Sequence, residues 1–256
     1  VSGEDGWVYV GLEGDFGRLE PDQGGDMHFR SLVDSTVWSV GPEVRFWKTY
    51  YQQDKVYFCS REGIYIFDPL AGEGSLIETP DYSFFSFLVH QDLFLGNYET
   101  GLMKYEGKEF VLFPGGEFFK GKNISGLVAF DDNHYLMSTF DQGLFLLHIE
   151  NGNLDSTFLS PALKETLTAA VVINLQVLEN RIFVGTAFEG LFVLDRQGNI
   201  VETLSEFNGL IDNAMADILL PDAGQGSKSL WIAHWKGISR VDINSPFRSV
   251  SVGPGR

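Results

Sequence analysis

Thiol chemistry is almost absent from this chain: of its 256 residues only Cys59 is a cysteine. An intrachain disulfide and any cysteine-based metal site are therefore excluded. Set in the apolar run 56–60, Cys59 reads as a small buried residue. Positive charge is scarce too. Eighteen Lys and Arg stand against 35 Asp and Glu, a formal net charge of −17, and the basic residues are scattered. Phosphate backbones and anionic headgroups need clustered cations, so neither nucleic-acid binding nor membrane contact by this segment is expected. Long apolar runs are missing as well. The longest, 169–178, is interrupted by Asn174 and Gln176 and falls far short of the ~20 residues of a membrane span. No signal-peptide pattern opens the chain. It starts at Val1 and reaches an apolar strand by Trp7, as an excised piece of a longer protein would.

Catalytic motifs are also lacking. The five histidines, His28, His90, His134, His148 and His234, form no zinc-binding HExxH arrangement. There is no Gly-x-Ser-x-Gly elbow, phosphate loop or calcium-loop spacing. Paired acids such as Asp131-Asp132 and Asp212 with Asp217 sit where Asp commonly hydrogen-bonds a turn backbone. No catalytic residue, metal site or cofactor is assigned. Asn123-Ile124-Ser125 matches a glycosylation sequon but reads better as the start of a strand.

What the chain does have is one pattern written six times. The copies are VYVGLEGDFGRLE, VYFCSREGIYIFD, LFLGNYETGLMKY, YLMSTFDQGLFLL, IFVGTAFEGLFVLD and LWIAHWKGISRVD. Each is an apolar alternating run, a small residue, a short turn, and Gly leading a second apolar run. The closing glycines Gly17, Gly63, Gly101, Gly143, Gly190 and Gly237 are spaced 46, 38, 42, 47 and 47 residues apart. That period, with β-branched and aromatic strands around a Gly turn, predicts an all-β propeller of six blades of about four strands each. Each blade buries its faces against its neighbours, so 1–256 is read as one propeller region without an internal boundary.

Within each blade the motif supplies the second and third strands. Inner strands are predicted at 45–51, 84–89, 125–130, 170–178 and 214–220, bounded by turn-forming residues such as Asp131-Asp132-Asn133 and Pro221-Asp222. An outer strand for the sixth blade is predicted at 247–252. The first blade lacks an inner strand, since only residues 1–6 precede its second. Either the chain is cut within a blade of a larger propeller, the preferred reading, or a six-bladed propeller carries one defective blade.

One recurrence concerns recognition. The turns between second and third strands carry Tyr98, Phe140, Phe188 and Trp235. Those turns share an end of the blade with the blade-to-blade connections, so these aromatics are expected around one mouth of the central channel. There they would stack on a sugar ring or grip a small ligand, with Asn97, Glu99, Asp141, Glu189 and His234 fixing its orientation. The competing reading packs the rings between blades as plugs. Trp38, Trp47, Phe118, Phe119 and Phe207 are further candidates on the same end.

The last repeat resembles the two-component regulator propeller repeat, at Gly209, Leu210, Asp222, Gly226, Leu230, Trp231, Ile232, Gly237 and Ile238. The fifth copy carries that family's Gly-Thr at Gly185-Thr186, and the opening motif followed by Ser31-Leu32 resembles a first blade of the same group. Blades two to four match only the general skeleton. The resemblance implies a periplasmic, ligand-sensing region of a bacterial two-component-type sensor. It would respond to a carbohydrate or other small molecule, with its kinase or DNA-binding output outside this segment and any homodimer formed through attached modules. The alternatives are a propeller enzyme of the metal-dependent lactonase or lyase type, and a protein-interaction scaffold.

Overall fold

The computed structural model describes residues 1–33, 38, 40–155, 157–220 and 229–243. Among these residues twenty-two strands fall into six antiparallel sheets, each a meander of consecutive strands. The first sheet holds β1 (Val8–Gly11), β2 (Phe16–Pro21) and β3 (Met27–Ser31). The second holds β4 (Lys48–Gln52), β5 (Lys55–Cys59), β6 (Gly63–Asp68) and β7 (Glu73–Glu78). The third holds β8 (Ser83–Val89), β9 (Asp92–Asn97), β10 (Gly101–Tyr105) and β11 (Phe110–Leu112). Next come β12 (Ile124–Ala129), β13 (His134–Thr139), β14 (Gly143–His148) and β15 (Leu154–Asp155). The fifth sheet is β16 (Val172–Leu178), β17 (Arg181–Thr186), β18 (Leu191–Asp195) and β19 (Ile200–Leu204). The sixth is β20 (Met215–Leu219), β21 (Ser229–His234) and β22 (Gly237–Asp242). Six such sheets in sequence are the blades of a β-propeller, and every repeat falls on the second and third strands of its blade. The outer strand expected at 247–252, and the matches at Asp222 and Gly226, lie outside the described residues.

The chain divides into two compact units, Val1–Glu99 with Met103–Val111, and Thr100–Leu102 with the described residues from Leu112 onward. The first unit has an aromatic core. Phe16 is fully buried and stacks on Phe58 at 4.3 Å between centroids. It also meets Trp38 and Phe46 edge-on, both at 5.1 Å. The core of the second unit is mainly aliphatic, with Phe145, Phe183 and Phe192 among its buried rings. Leu136, Leu144, Leu175, Ile182, Val184 and Leu194 interdigitate from two neighbouring sheets, and β16 lies beside both β12 and β20.

The inner strands correspond to those expected from their apolar runs, with three refinements. First, β8, β12, β16 and β20 each break register near their start, skipping Phe84, Ser125, Ile173 and Ala216. The extra residue is a β-bulge that bends the strand and raises its twist. Second, residues 161–170 are not strand. They form the helix α1 (Pro161–Ala170), capped by Ser160, whose hydroxyl accepts the Leu163 N–H at 3.3 Å. Pro161 opens it, where its missing N–H costs nothing, and Leu163, Leu167 and Ala170 are its buried stripe. The strand predicted from 170 therefore starts at Val172. Third, residues 1–3 do pair with the first sheet. The Val1 ammonium donates to the Tyr9 carbonyl at 2.8 Å, Tyr9 N–H returns a bond to Val1 at 2.8 Å, and Gly3 N–H reaches Trp7 at 2.9 Å.

Cys59 is fully buried in β5, and burial pushes its thiol up to about 12. Ser125 of the sequon is buried and bonds Ser138 across β12 and β13 at 2.9 Å, so the tripeptide serves as a strand start.

Candidate functional site

The turns between second and third strands share one construction in the second to fifth blades. A polar, buried residue at the end of the second strand, or one place beyond it in the case of Ser60, bonds the turn that follows. Ser60 accepts from Glu62 and Gly63 N–H at 3.2 and 3.1 Å. Asn97 accepts from Glu99 N–H at 3.0 Å, and Thr139 from Gln142 N–H at 3.1 Å. Thr186 accepts from Glu189 N–H at 3.0 Å and donates to the Gly190 carbonyl at 2.8 Å. A buried hydroxyl or amide thus replaces water for the turn's own backbone, which would otherwise be left unpaired. The closing glycine is required at Gly190. Its φ is +80°, and a Cβ there would lie 2.2 Å from the Leu204 carbonyl oxygen.

Several residues at the turn tips face outward. Trp235 is 82% exposed, Phe188 62% and Tyr98 42%. Tyr98 meets Phe84 of its own sheet edge-on at 6.3 Å, and the Arg61 guanidinium lies 4.7 Å above Phe84. Phe140 is half-buried. Exposure of this degree at Phe188 and Trp235 is not that of a ring packed between blades. Among the other expected aromatics, Trp38 and Phe119 are core residues, Phe119 edge-on to Phe145 at 5.7 Å. Trp47 is partly buried against Phe85 at 5.8 Å. Phe118 and Phe207 are exposed.

The polar candidates divide. Asp141, Glu99 and Glu189 are exposed. Asn97 is buried, its amide donating to the Asp81 carbonyl at 2.7 Å and to Ser83 Oγ at 3.2 Å. It holds the turn instead of facing solvent. His234 is also buried, with Nδ1 3.3 Å from the Ala214 carbonyl and Nε2 without a partner among the described residues. Burial lowers its pKa from the ordinary 6.5, against the opposing pull of the Ala214 carbonyl, Asp212 and Glu206.

Two connections reinforce this end of the second unit. Lys236 sits between Glu206 Oε1 at 3.3 Å and Asp212 Oδ2 at 3.4 Å. Those contacts raise the lysine pKa, while a backbone bond from Ala214 holds Asp212 below the usual carboxylate range. Asn213 ties the neighbouring turn, its carbonyl accepting the Gly190 N–H at 3.2 Å and its side chain the Glu206 N–H at 2.8 Å. The sequence pattern marks these positions only as a small residue before the turn, with Asn97 read as orienting a ligand, and does not show that they hold the turn backbone. The recurrence of a hydrogen-bonding type one or two places before an aromatic, at Asn97, Thr139 and Thr186, is the available signal.

Among the described residues, no three His, Cys, Asp or Glu side chains group as metal ligands. No helix among them is long and apolar enough to cross a membrane.

No family model and no curated protein matches the chain. Solved structures do. Two structures of the extracellular domain of BT4673 from B. thetaiotaomicron, described as a one-component and as a hybrid two-component system, match with TM-scores of 0.65 and 0.61 at 15% identity, over 93% of this chain and 31% of that one. PorZ, a bacterial surface component of the type-IX secretion system of Porphyromonas gingivalis, matches at 0.60 with 16% identity, over 91% and 36%. The WD40 propeller domain of Doa1 matches at 0.66 with 9% identity, over 94% and 76%. The chain thus spans about a third of the length of the two bacterial proteins. At these identities the likeness is one of fold: this chain resembles the propellers of bacterial extracellular sensor domains as well as a WD40 propeller.

Proposed function

We propose that this chain is the ligand-sensing region of an extracytoplasmic, two-component-type signalling protein in the periplasm. It recognises a carbohydrate or other small molecule and carries out no catalysis itself. The observation that carries this reading is the outward display of Phe188 and Trp235, the former on a turn whose backbone the buried Thr186 hydroxyl already satisfies. Large rings left in water at rigid positions suit stacking on a ligand, because little conformational freedom is lost on binding. The fold shared with the extracellular domain of BT4673 supports the sensor setting.

Signalling follows from differential affinity. A ligand bound more tightly in one arrangement of the attached modules shifts the population toward it. Those modules also supply any dimer contact.

The test is a melting-temperature screen of the purified chain against soluble oligosaccharides. A ligand present at 100 times its Kd stabilises by about 2.7 kcal/mol, a shift easily read. The reading expects at least one such ligand, recovered intact. Hydrolysis or elimination of the bound saccharide would favour the propeller-enzyme alternative. Absence of any shift, together with no response of the full-length protein's output to any glycan, would contradict the sensor reading.

A further inference from the structure

On the fourth blade two histidines stand opposite each other. His134 opens β13, His148 closes β14, and the two are direct partners in the strand register. Directly opposed residues of an antiparallel pair project from the same face, with Cβ atoms ~4.5–5.5 Å apart. The rings keep that proximity: their centroids lie 5.1 Å apart, with planes at 84°. The pair sits at the end of the blade remote from the Phe140 turn, because β13 runs from His134 towards that turn and β14 runs back from it to His148. The other histidines lie elsewhere, His28 on β3, His90 in the turn between β8 and β9, and His234 at the end of β21.

Each neutral ring offers one lone pair. A carboxylate only accepts, so His134 Nδ1, at 2.9 and 3.1 Å from the two Asp131 oxygens, carries the proton. Its Nε2 is left without a partner among the described residues. His148 is the opposite tautomer: its Nδ1 accepts the Glu150 N–H, over a long 3.3 Å, and is only weakly held. The frame around them is fixed. Ile149 N–H donates to the Asn133 carbonyl at 2.8 Å and His148 N–H to the Asn153 carbonyl at 2.9 Å, fastening the turns that flank the pair.

Two imidazoles at this separation fit one metal ion. An ion bonded to two ring nitrogens at ~2.0–2.1 Å in tetrahedral geometry sets the ring centres roughly 5 Å apart, the spacing already present. Asp131 grips His134 by its other nitrogen, the arrangement that orients a ligating imidazole and raises its basicity. Hydrogen bonds from Thr157, and after them the charge of His134, hold the Asp155 carboxyl below its usual range, so a second carboxylate lies within electrostatic reach. No third His, Cys, Asp or Glu among the described residues completes a cluster, and water fills the remaining positions. Calcium and magnesium, which need several oxygen ligands, are poorly served. Imidazole suits copper, nickel and zinc, with copper held most tightly.

We propose that His134 and His148 form a two-histidine chelate for a divalent transition-metal ion, clamping the ends of β13 and β14. The site is independent of the sensor reading. It lies at the opposite end of the fourth blade from the turn aromatics and takes no organic ligand.

The test is calorimetric titration of the untagged, metal-free whole chain with Cu²⁺, Ni²⁺, Zn²⁺, Ca²⁺ and Mg²⁺. One Cu²⁺ should bind per chain, Ni²⁺ and Zn²⁺ more weakly, and Ca²⁺ and Mg²⁺ at least a hundredfold more weakly than Cu²⁺. H134Q and H148Q should each weaken Cu²⁺ binding at least tenfold. H28Q should leave it unchanged, His28 of the first sheet being paired with the Asp22 carboxylate at 3.0 Å. Electron spin-echo modulation of Cu²⁺ on the wild type should count two imidazoles, a readout that needs no variant to fold. Equal Cu²⁺ affinity in wild type, H134Q and H148Q would overturn the proposal. So would a single imidazole at the copper, Ca²⁺ binding as tightly as Cu²⁺, or no binding of Cu²⁺, Ni²⁺ or Zn²⁺, and each of these results would leave the sensor reading standing.

Discussion

Replacing Trp235 with Ala and Trp38 with Ala separates display from packing, since both are tryptophans and only their surroundings differ. Trp235 is 82% exposed and Trp38 is 4%. A large aromatic side chain buries ~150–250 Å² when fully enclosed. With about a fifth of that covered at Trp235, some ~45 Å², burial stabilises by about 1 kcal/mol at ~25 cal/mol per Å². Trp38 lies 5.1 Å from Phe16 and 6.3 Å from Tyr65, edge-on to both. Its removal leaves a cavity inside a ring cluster, and large-to-small changes of this kind cost about 3–5 kcal/mol. For a chain of this size each kcal/mol moves the midpoint by about 2–4 °C. Urea titration followed by circular dichroism, with a thermal melt alongside, should show W235A within about 4 °C of wild type and W38A at least about 6 °C lower. A W235A loss as large as that of W38A would refute the display of this ring and return it to the role of a plug.

Other outcomes follow from the same structure. Cys59, fully buried with its thiol pushed up to about 12, should stay unmodified by a thiol reagent in native buffer and react at once in denaturant, because the thiolate is the reactive form. Fast native labelling would contradict its burial. Burial holds the His234 imidazole below its ordinary 6.5. Between that folded value and 6.5 the unfolded chain binds a proton that the folded chain refuses, so stability falls as pH drops through this window. The urea midpoint should decline from pH 7 toward pH 5, less steeply in H234Q, and equal slopes in the two proteins would sink the assignment. T186A removes the hydroxyl that accepts from Glu189 and donates to Gly190. It should cost about 1–3 kcal/mol, the penalty of unpaired buried groups, read from the same titration, and a neutral result would show that the hydroxyl does not hold the turn.

The blades were legible because strand and turn chemistry repeat where structure repeats. Gly190 is glycine since its φ is positive and the Leu204 carbonyl crowds it, and the equivalent Gly101, Gly143 and Gly237 share the positive φ that announces the turn. The four bulges were not legible. Phe84, Ser125, Ile173 and Ala216 share no chemistry, and a skipped residue is defined only by its partner strand. Helix α1 was overlooked although Ser160-Pro161 and the spacing of Leu163 and Leu167 signal it. Its end abuts the apolar run of β16, and a continuous apolar stretch does not mark where period 3.6 gives way to period 2. At the candidate site the aromatic identities were visible, but exposure was not. Phe119 and Phe118 are neighbours in sequence, yet one is fully buried and the other exposed. Phe207 stands out only once its connection is seen fastened to the turns on either side.

The most direct test of ligand recognition at this end of the second unit is fluorine NMR of protein labelled with 5-fluorotryptophan. Five tryptophans give five assignable resonances, with W235F and W38F fixing two of them. On titration with the oligosaccharide that stabilises the chain, the Trp235 signal should shift or broaden saturably while the buried Trp38 signal stays fixed. A Trp235 resonance that remains unmoved at saturating ligand would contradict the account.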